Sequence, residues 1–168
     1  MTIDAFRREP WVAPAGLTPE IAAANVALAR RFVEDALGKG DMAAFDEIVA
    51  DDVWVSTGLK PGAPITSKAE YAAVIGATLG SALEFTTATM VLHECVATAD
   101  GRVVARFTAE ADHVGTIDGV AATGKRLVLS ETHLLGFRDG KLVENYVGAL
   151  NPLMWETIYA PVIAAAVL

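Results

Sequence analysis

Three side chains able to exchange protons fall on two strand-like runs of the sequence. Residues 107–113 alternate between apolar and polar, and the apolar phase ends at His113. Residues 127–137 carry Glu131 and His133 in their apolar phase, which would put a carboxylate beside an imidazole. Burial would raise the pKa of the carboxyl group and lower that of the imidazole, while their mutual attraction opposes both changes. The pattern predicts a proton-transfer site; for Glu131 and His133 the alternative is a satisfied ion pair or a solvent-facing dyad at a dimer surface.

Metal and cofactor chemistry find no support in the sequence. His93, His113 and His133 lie on different predicted strands and lack the short spacings typical of zinc or iron ligands. His93 is next to Glu94 and is interpreted as a structural residue. There is no glycine-rich phosphate loop and no Gly-x-Ser-x-Gly motif. We therefore expect chemistry that needs neither a metal nor a cofactor.

Five polar or aromatic residues are candidates for binding a substrate. Asn25 falls on the apolar face of a predicted helix, where a polar group needs a partner. The Tyr146 hydroxyl is able to donate to a carbonyl or enolate oxygen, and Asn151 follows the last predicted strand. Trp54 and Tyr71, like Tyr146, are candidate pocket residues, although residues of this kind are more often plain core than ligand contacts.

Helix signals occupy the first half of the chain. Thr18-Pro19-Glu20 is a helix start, Asp41 is able to cap a short second helix, and Ser67 with Glu70 matches a capping box for a third helix from about Lys68 to Leu79. A short strand, residues 53–56, precedes the third helix.

The second half reads as four long strands. The run from Glu84 to Thr98 is rich in Thr, Val and Phe, which favours one strand. Three more strand-like runs follow from Arg102, separated by GTIDGVAATGK and by an Asp-Gly hairpin at residues 138–141. This order predicts an α+β fold, in which about three N-terminal helices cover one face of a mostly antiparallel sheet.

Composition limits the possible partners. A chain of 168 residues is long enough for one domain with a real core, and no apolar run approaches the roughly 20 residues of a membrane helix. The net charge of −8 argues against nucleic acid or an anionic membrane, because both reward clustered Lys and Arg. Cys95 is the single cysteine, which favours a reducing compartment. We expect a cytoplasmic protein.

Two segments resemble the SnoaL-like polyketide cyclases, whose fold is shared by nuclear transport factor 2, ketosteroid isomerases and scytalone dehydratase. They read NVALARRFVEDALGKGDMAAFDEIVADDVWV and ADHVGTIDGVAATGKRLVLSETHLLGFRDGKLVENY. The resemblance implies a cone-shaped α+β barrel, with a curved sheet wrapped around a deep apolar pocket. It also implies a small apolar organic ligand and a homodimer that forms through the sheet.

Only part of the family's machinery carries over. His113 matches the pocket histidine of the cyclases, although Ala111-Asp112 replaces their Gly-Thr. The position of their catalytic aspartate falls on Leu150 or Asn151, and neither is a carboxylate.

The end of the last strand, Asn151-Pro152, also resembles the phenazine-biosynthesis A/B proteins. Their catalytic glutamate position is held by Val147 or Gly148 in this chain.

Two functions fit these features. The first is a cofactor-free enzyme that removes a proton next to the carbonyl of a polyketide- or terpenoid-like compound, giving cyclisation, isomerisation or dehydration. In it, His113 helped by Glu131 or His133 would be the base, with Tyr146 and Asn151 at the oxyanion. The second is a binding or assembly module without catalysis. We expect an arm at residues 1–17, one domain at 18–158, and an apolar tail at 159–168 that packs on the body or a second subunit.

Overall fold

The computed structural model describes residues 6, 8–60, 62–85, 90–117 and 119–148. Three α-helices form where the capping signals predict them: α1 (Pro19–Arg31), α2 (Met42–Ile48) and α3 (Lys68–Leu79). Their caps are Thr18, Asp41 and Ser67, whose side-chain oxygens accept hydrogen bonds from backbone N–H groups of the first turns. A π-helical stretch, Phe32–Leu37, continues α1 and buries Phe32, Val33 and Ala36 together.

Six strands form one curled half-barrel sheet. They are β1 (Val49–Ser56), β2 (Leu83–Phe85), β3 (Val91–Ala97), β4 (Val103–His113), β5 (Arg126–Arg138) and β6 (Lys141–Gly148). Their order is β1-β6-β5-β4-β2, with β3 also paired to β4. Only the β1–β6 pair is parallel among the described strands. The predicted α+β class, with a curved and mostly antiparallel sheet, is confirmed.

The prediction of a single strand from Glu84 to Thr98 is wrong. Phe85 pairs with Ala111 and Val91 pairs with Thr108, so six steps along the chain accompany three steps along β4. The pairing with β4 is therefore not continuous along this run, which contains two strands, β2 and β3. Strand propensity reports neither a break in pairing nor its position.

The two faces of the sheet have different partners. Along β4 every second residue is buried, from Val103 to His113, and the residues between them are half-buried. We call this side the inner face, because Phe107 and Leu135 on it pack with Phe32 and Phe45 of the helical layer. The outer face is the opposite side, which carries Trp54, Glu144 and Tyr146.

The Asp-Gly hairpin turn predicted at residues 138–141 is confirmed between β5 and β6. Arg138 pairs with Lys141, and the two residues between them have positive φ angles, 50° at Asp139 and 72° at Gly140. Two consecutive positive φ angles define the type I′ turn that Asp-Gly favours.

The described part of the N-terminal arm lies on the outer face. Trp11 packs on Gly136, where a Cβ atom would lie 2.6 Å from the indole, so only glycine permits this contact. The indole Nε1 donates to the backbone oxygen of Asp100 at 3.0 Å, and the guanidinium groups of Arg102 and Arg138 lie over the ring. The predicted apolar tail, residues 159–168, is outside the described residues.

Candidate functional site

Glu131 and His133 lie together on the inner face of β5, as the alternation of the strand predicts. Leu129, His133 and Leu135 are buried, and Glu131 is partly buried. Phe107 of β4 pairs with Glu131, and its ring centroid is 5.1 Å from that of His133. The carboxyl group and the imidazole are therefore set in apolar surroundings.

A hydrogen-bonded trio links this part of the sheet to the helical layer. The Asn145 amide nitrogen donates to the Tyr71 hydroxyl oxygen at 3.0 Å and lies 3.2 Å from His133 Nδ1. Asn145 comes from β6 and Tyr71 from α3, where its ring packs at 5.5 Å on Phe45. All three members of the trio are buried.

A β-bulge in β6 brings Asn145 to the inner face. Gly136 pairs with Glu144 but Phe137 pairs with Leu142, so Val143 is an extra residue in the ladder. Leu142 and Asn145 consequently both face inward, although strict alternation would put them on opposite sides. Asn145 was therefore not predicted as a site residue, because a bulge of this kind leaves no signal in the hydrophobic pattern of KLVENYVG.

Burial shifts both titratable groups toward their uncharged forms. Desolvation raises the pKa of Glu131 to about 7 and lowers the pKa of His133 to about 4. Burial also raises the pKa of Tyr71, and the charge of Glu131 adds to that rise, whereas the hydrogen bond from Asn145 opposes it. At neutral pH His133 is uncharged, and Glu131 has no ion pair among the described residues; burial alone accounts for both shifts in pKa. The satisfied ion pair considered from the sequence is not what the structure contains.

The structure does not bring His113 to this cluster. Glu131 pairs with Phe107 and His133 with Ala105, which places His113 roughly 20 and 27 Å further along β4 at the usual rise per residue. His113 is fully buried; its Nδ1 accepts from the Thr123 backbone N–H at 3.3 Å and lies 3.0 Å from Thr123 Oγ1. Its Nε2 is buried without a hydrogen-bond partner in the described chain.

Three of the substrate-binding candidates lie elsewhere. Trp54 and Tyr146 stack on the outer face, with ring centroids 5.0 Å apart and Arg8 over the Trp54 ring. The adjacent residues in the sequence, Val55 and Asn145, face the inner side, where they pair with each other across β1 and β6. The amide of Asn25 donates to the backbone oxygen of Gly101 at 3.1 Å and so fastens α1 to the β3–β4 turn.

Tyr71 is the one substrate-binding candidate that the described structure brings to Glu131 and His133. Asn151 lies outside the described residues, as does Leu150, the other position of the missing carboxylate.

A groove opens beside α3, at the end of the sheet near His113. Its volume is about 190 Å³. Its lining residues come from the β1–α3 loop, from α3 and from the loop after β4: Leu59, Val74, Ala77, Thr78, Thr116 and Ile117. The described residues contain no cluster of His, Cys, Asp and Glu able to hold a metal ion. No helix among them is long and apolar enough to cross a membrane.

The geometry has counterparts among known proteins. The family model of the SnoaL-like polyketide cyclases matches residues 27–147, which is most of the chain and includes every strand described above except the last residue of β6. The chain belongs to this family. The comparison with curated proteins finds no match.

Solved structures with the same fold include several members of this group. One is a protein of Jannaschia sp. CCS1 assigned as a SnoaL-like polyketide cyclase, with a TM-score of 0.70 and 19% identity over 88% of this chain and 99% of that one. AclR of Streptomyces galilaeus, assigned as a hydroxylase, has a TM-score of 0.65 and 24% identity over 80% and 95% of the two chains. An epoxide hydrolase of the LEH-like type from M. tuberculosis has a TM-score of 0.61 and 16% identity over 90% and 95%.

These structural likenesses show the fold of the SnoaL-like chain. The match to the SnoaL-like family points to an enzyme that modifies a small molecule. The neighbours carry three different reaction names, so the chemistry of this chain has to be argued from its own residues.

Proposed function

We propose that this SnoaL-like protein is a cofactor-free enzyme that moves a proton on a small, apolar carbonyl compound, with Glu131 as its acid/base group. The observation that supports it is the convergence of Glu131, His133 and Tyr71 on the inner face of the sheet. The acid/base role expected for His113 thus passes to Glu131, because His113 lies at the far end of β4.

Glu131 has the properties of a general acid/base. Its carboxyl group is partly buried, faces the same side as His133, and has no hydrogen-bond partner among the described residues. With a pKa of about 7 it is about half ionised at neutral pH, so it is able both to accept and to return a proton.

The charges around the site favour a neutral substrate. No lysine or arginine is buried among the described residues, so an anionic substrate would meet the Glu131 charge without a compensating cation. Phe107, which pairs with Glu131, and Leu129, the preceding residue on the same face of β5, are both buried and make the surroundings of this carboxyl group apolar. A polyketide- or terpenoid-like ketone has this combination of an apolar body and a single polar oxygen.

The proposed first step is common to cyclisation, isomerisation and dehydration. Glu131 removes a proton from the carbon next to the carbonyl, the carboxylate becomes a carboxylic acid, and the electron pair of the C–H bond forms an enolate. The uncharged His133 and Tyr71 provide N–H and O–H groups near the developing oxyanion. The proton then returns to another carbon for isomerisation, or to a leaving hydroxyl for dehydration.

Exchange of substrate hydrogen for deuterium tests this step without knowledge of the final product. Neutral ketones and β-diketones of polyketide and terpenoid type are incubated with the enzyme in D₂O and followed by NMR. Substitution Glu131→Gln is expected to lower the exchange rate at least roughly a hundredfold. The matched control Glu84→Gln removes an exposed carboxylate on β2 and is expected to leave the rate unchanged. Equal exchange by wild type and Glu131→Gln would remove Glu131 from the mechanism.

The alternative, a binding module without catalysis, is favoured by the absence of a carboxylate at positions 150 and 151. Binding of these ketones to the wild type, seen as a thermal shift, without any enzyme-dependent exchange would support it.

We further propose a cytoplasmic homodimer that uses the part of the outer face not covered by the described residues of the arm. Val91, Val96 and Val128 are exposed there, on the side of β3 and β5 that faces away from the helices.

A further inference from the structure

The side-chain nitrogen of Asn145 contacts two other residues of the site. Its side chain is fully buried, and Nδ2 is within hydrogen-bond distance of both the Tyr71 hydroxyl oxygen and His133 Nδ1. An amide nitrogen has two hydrogens, so one is available for each neighbour. Asn145 Oδ1 is buried without a partner among the described residues.

This arrangement determines the proton positions on both neighbours. A His133 Nδ1 atom that faces an N–H donor has to accept, so the ring hydrogen resides on Nε2. Protonation of Nδ1 would set two N–H groups against each other. The Tyr71 oxygen accepts from Asn145, which leaves its own O–H hydrogen available to another acceptor. No described residue takes up either the Nε2–H or the Tyr71 O–H.

We propose that Asn145 is a positioning residue, which fixes His133 as its neutral Nε2–H tautomer and presents that N–H and the Tyr71 O–H to the substrate oxygen. This inference rests on the proposed function for its catalytic meaning. Two uncharged donors suit an enolate oxygen, because they stabilise its negative charge without giving up a proton and so leave proton transfer to Glu131.

Rotation of the Asn145 amide by 180°, which exchanges Oδ1 and Nδ2, would place the hydrogens of Tyr71 and His133 differently. With Oδ1 in place of Nδ2, Asn145 would accept from the Tyr71 O–H and from a His133 Nδ1–H. Tyr71 would then have no hydrogen left for a ligand, and His133 Nε2 would become an acceptor. The two orientations therefore predict different tautomers of one histidine, which NMR distinguishes directly.

The experiment is a long-range ¹H–¹⁵N NMR spectrum of the full chain, labelled with ¹⁵N-histidine, at pH 7 without ligand. His133 is expected as the Nε2–H tautomer. His113 is an internal reference for that state, because its Nδ1 accepts from the Thr123 backbone N–H. In Asn145→Leu the His133 signals are expected to move toward a tautomer mixture.

Asn25→Leu is the matched control, since it also removes a buried asparagine amide but one that bonds Gly101. It is expected to leave the His133 tautomer unchanged. If Asn145→Leu does not fold, Asn145→Asp replaces it: a carboxylate only accepts, and it is expected to draw the His133 hydrogen to Nδ1. A wild-type Nδ1–H tautomer, or a tautomer that no substitution of Asn145 alters, would overturn the proposal.

The exchange assay separates this inference from the proposed function. Asn145→Leu is expected to lower the exchange rate about ten- to a hundredfold through kcat, with KM little changed, whereas Asn25→Leu keeps the wild-type kcat. Loss of exchange in Glu131→Gln but not in Asn145→Leu overturns only the role of Asn145. Unchanged exchange in Glu131→Gln overturns the proposed function, while the tautomer result still decides the structural role of Asn145.

Discussion

Replacing Glu131 by glutamine is expected to stabilise the protein at alkaline pH. The pKa of Glu131 in the folded chain, about 7, lies above its ordinary value of 4.5. The folded protein therefore holds this proton more tightly than the unfolded chain does. The resulting stabilisation is fully present below pH 4.5 and is lost as the pH rises through 7, where an ionised carboxylate has to remain in apolar surroundings.

The magnitude follows from the same pKa. Complete loss amounts to about 3 kcal/mol, of which about 2 kcal/mol falls between pH 5.5 and 8.5. Glutamine has no proton to lose, so the difference in unfolding free energy between Glu131→Gln and wild type should change by about 2 kcal/mol in favour of the variant over that range. For a chain of this length, that corresponds to a relative gain of roughly 4–8 °C in melting temperature.

Urea unfolding at pH 5.5, 7.0 and 8.5 measures this difference. A lower limit of pH 5.5 keeps an acidic chain of net charge −8 at pH 7 from approaching neutrality, where solubility falls. Glu84→Gln makes the same charge change at an exposed position and should show a constant difference from wild type. The difference in unfolding free energy between Glu131→Gln and wild type should change with pH. If it varies by less than about 0.5 kcal/mol across this range, burial of the carboxyl group does not raise its pKa as we infer.

Three further predictions concern other parts of the molecule. The pKa of His133 is lowered to about 4, so its contribution to stability is present above pH 6.5 and is lost as the pH falls. His133→Gln should therefore gain about 1 kcal/mol relative to wild type between pH 8 and 5.5, measured by urea unfolding. Gly136→Ala should displace Trp11, which would lower the free energy of unfolding by about 1–3 kcal/mol and speed tryptic cleavage after Arg8. An unchanged cleavage rate would contradict the contact between Trp11 and Gly136. Val96→Glu puts a charge into the proposed dimer interface and should convert a dimer into a monomer in analytical ultracentrifugation. Met42→Glu, at an exposed position on α2, should leave the mass unchanged. Equal masses for wild type and Val96→Glu would argue against this interface.

The helical layer and the strand faces were predictable because they depend on local chemistry. Thr18, Asp41 and Ser67 cap the helices that their side chains predict, and the alternation in β4 and β5 gives the correct inner residues. Local periodicity was also enough to put Glu131 and His133 side by side on one face.

The parts of the site that were missed depend on how strands pair. The bulge at Val143 exchanges the faces expected for Glu144 and Asn145, and it is visible only in the register of β5 with β6. The distance from His113 to Glu131 likewise follows from which residues of β4 and β5 are partners. Periodicity tells which side of a strand a residue faces, but not how far along the sheet it lies from a residue on another strand.

The bulge also joins two regions that otherwise lie on opposite sides of the sheet. Glu144 is buried on the outer face, where its Oε2 is 2.7 Å from Arg8 Nε of the N-terminal arm, while the next residue, Asn145, holds Tyr71 and His133 on the inner face. Glu144, which holds the arm through Arg8, is therefore joined by a single peptide bond to Asn145, which contacts both Tyr71 and His133. A purification tag or fusion partner attached ahead of residue 1 therefore begins only seven residues from Arg8. Tag-free protein is the appropriate reference for every measurement of the site.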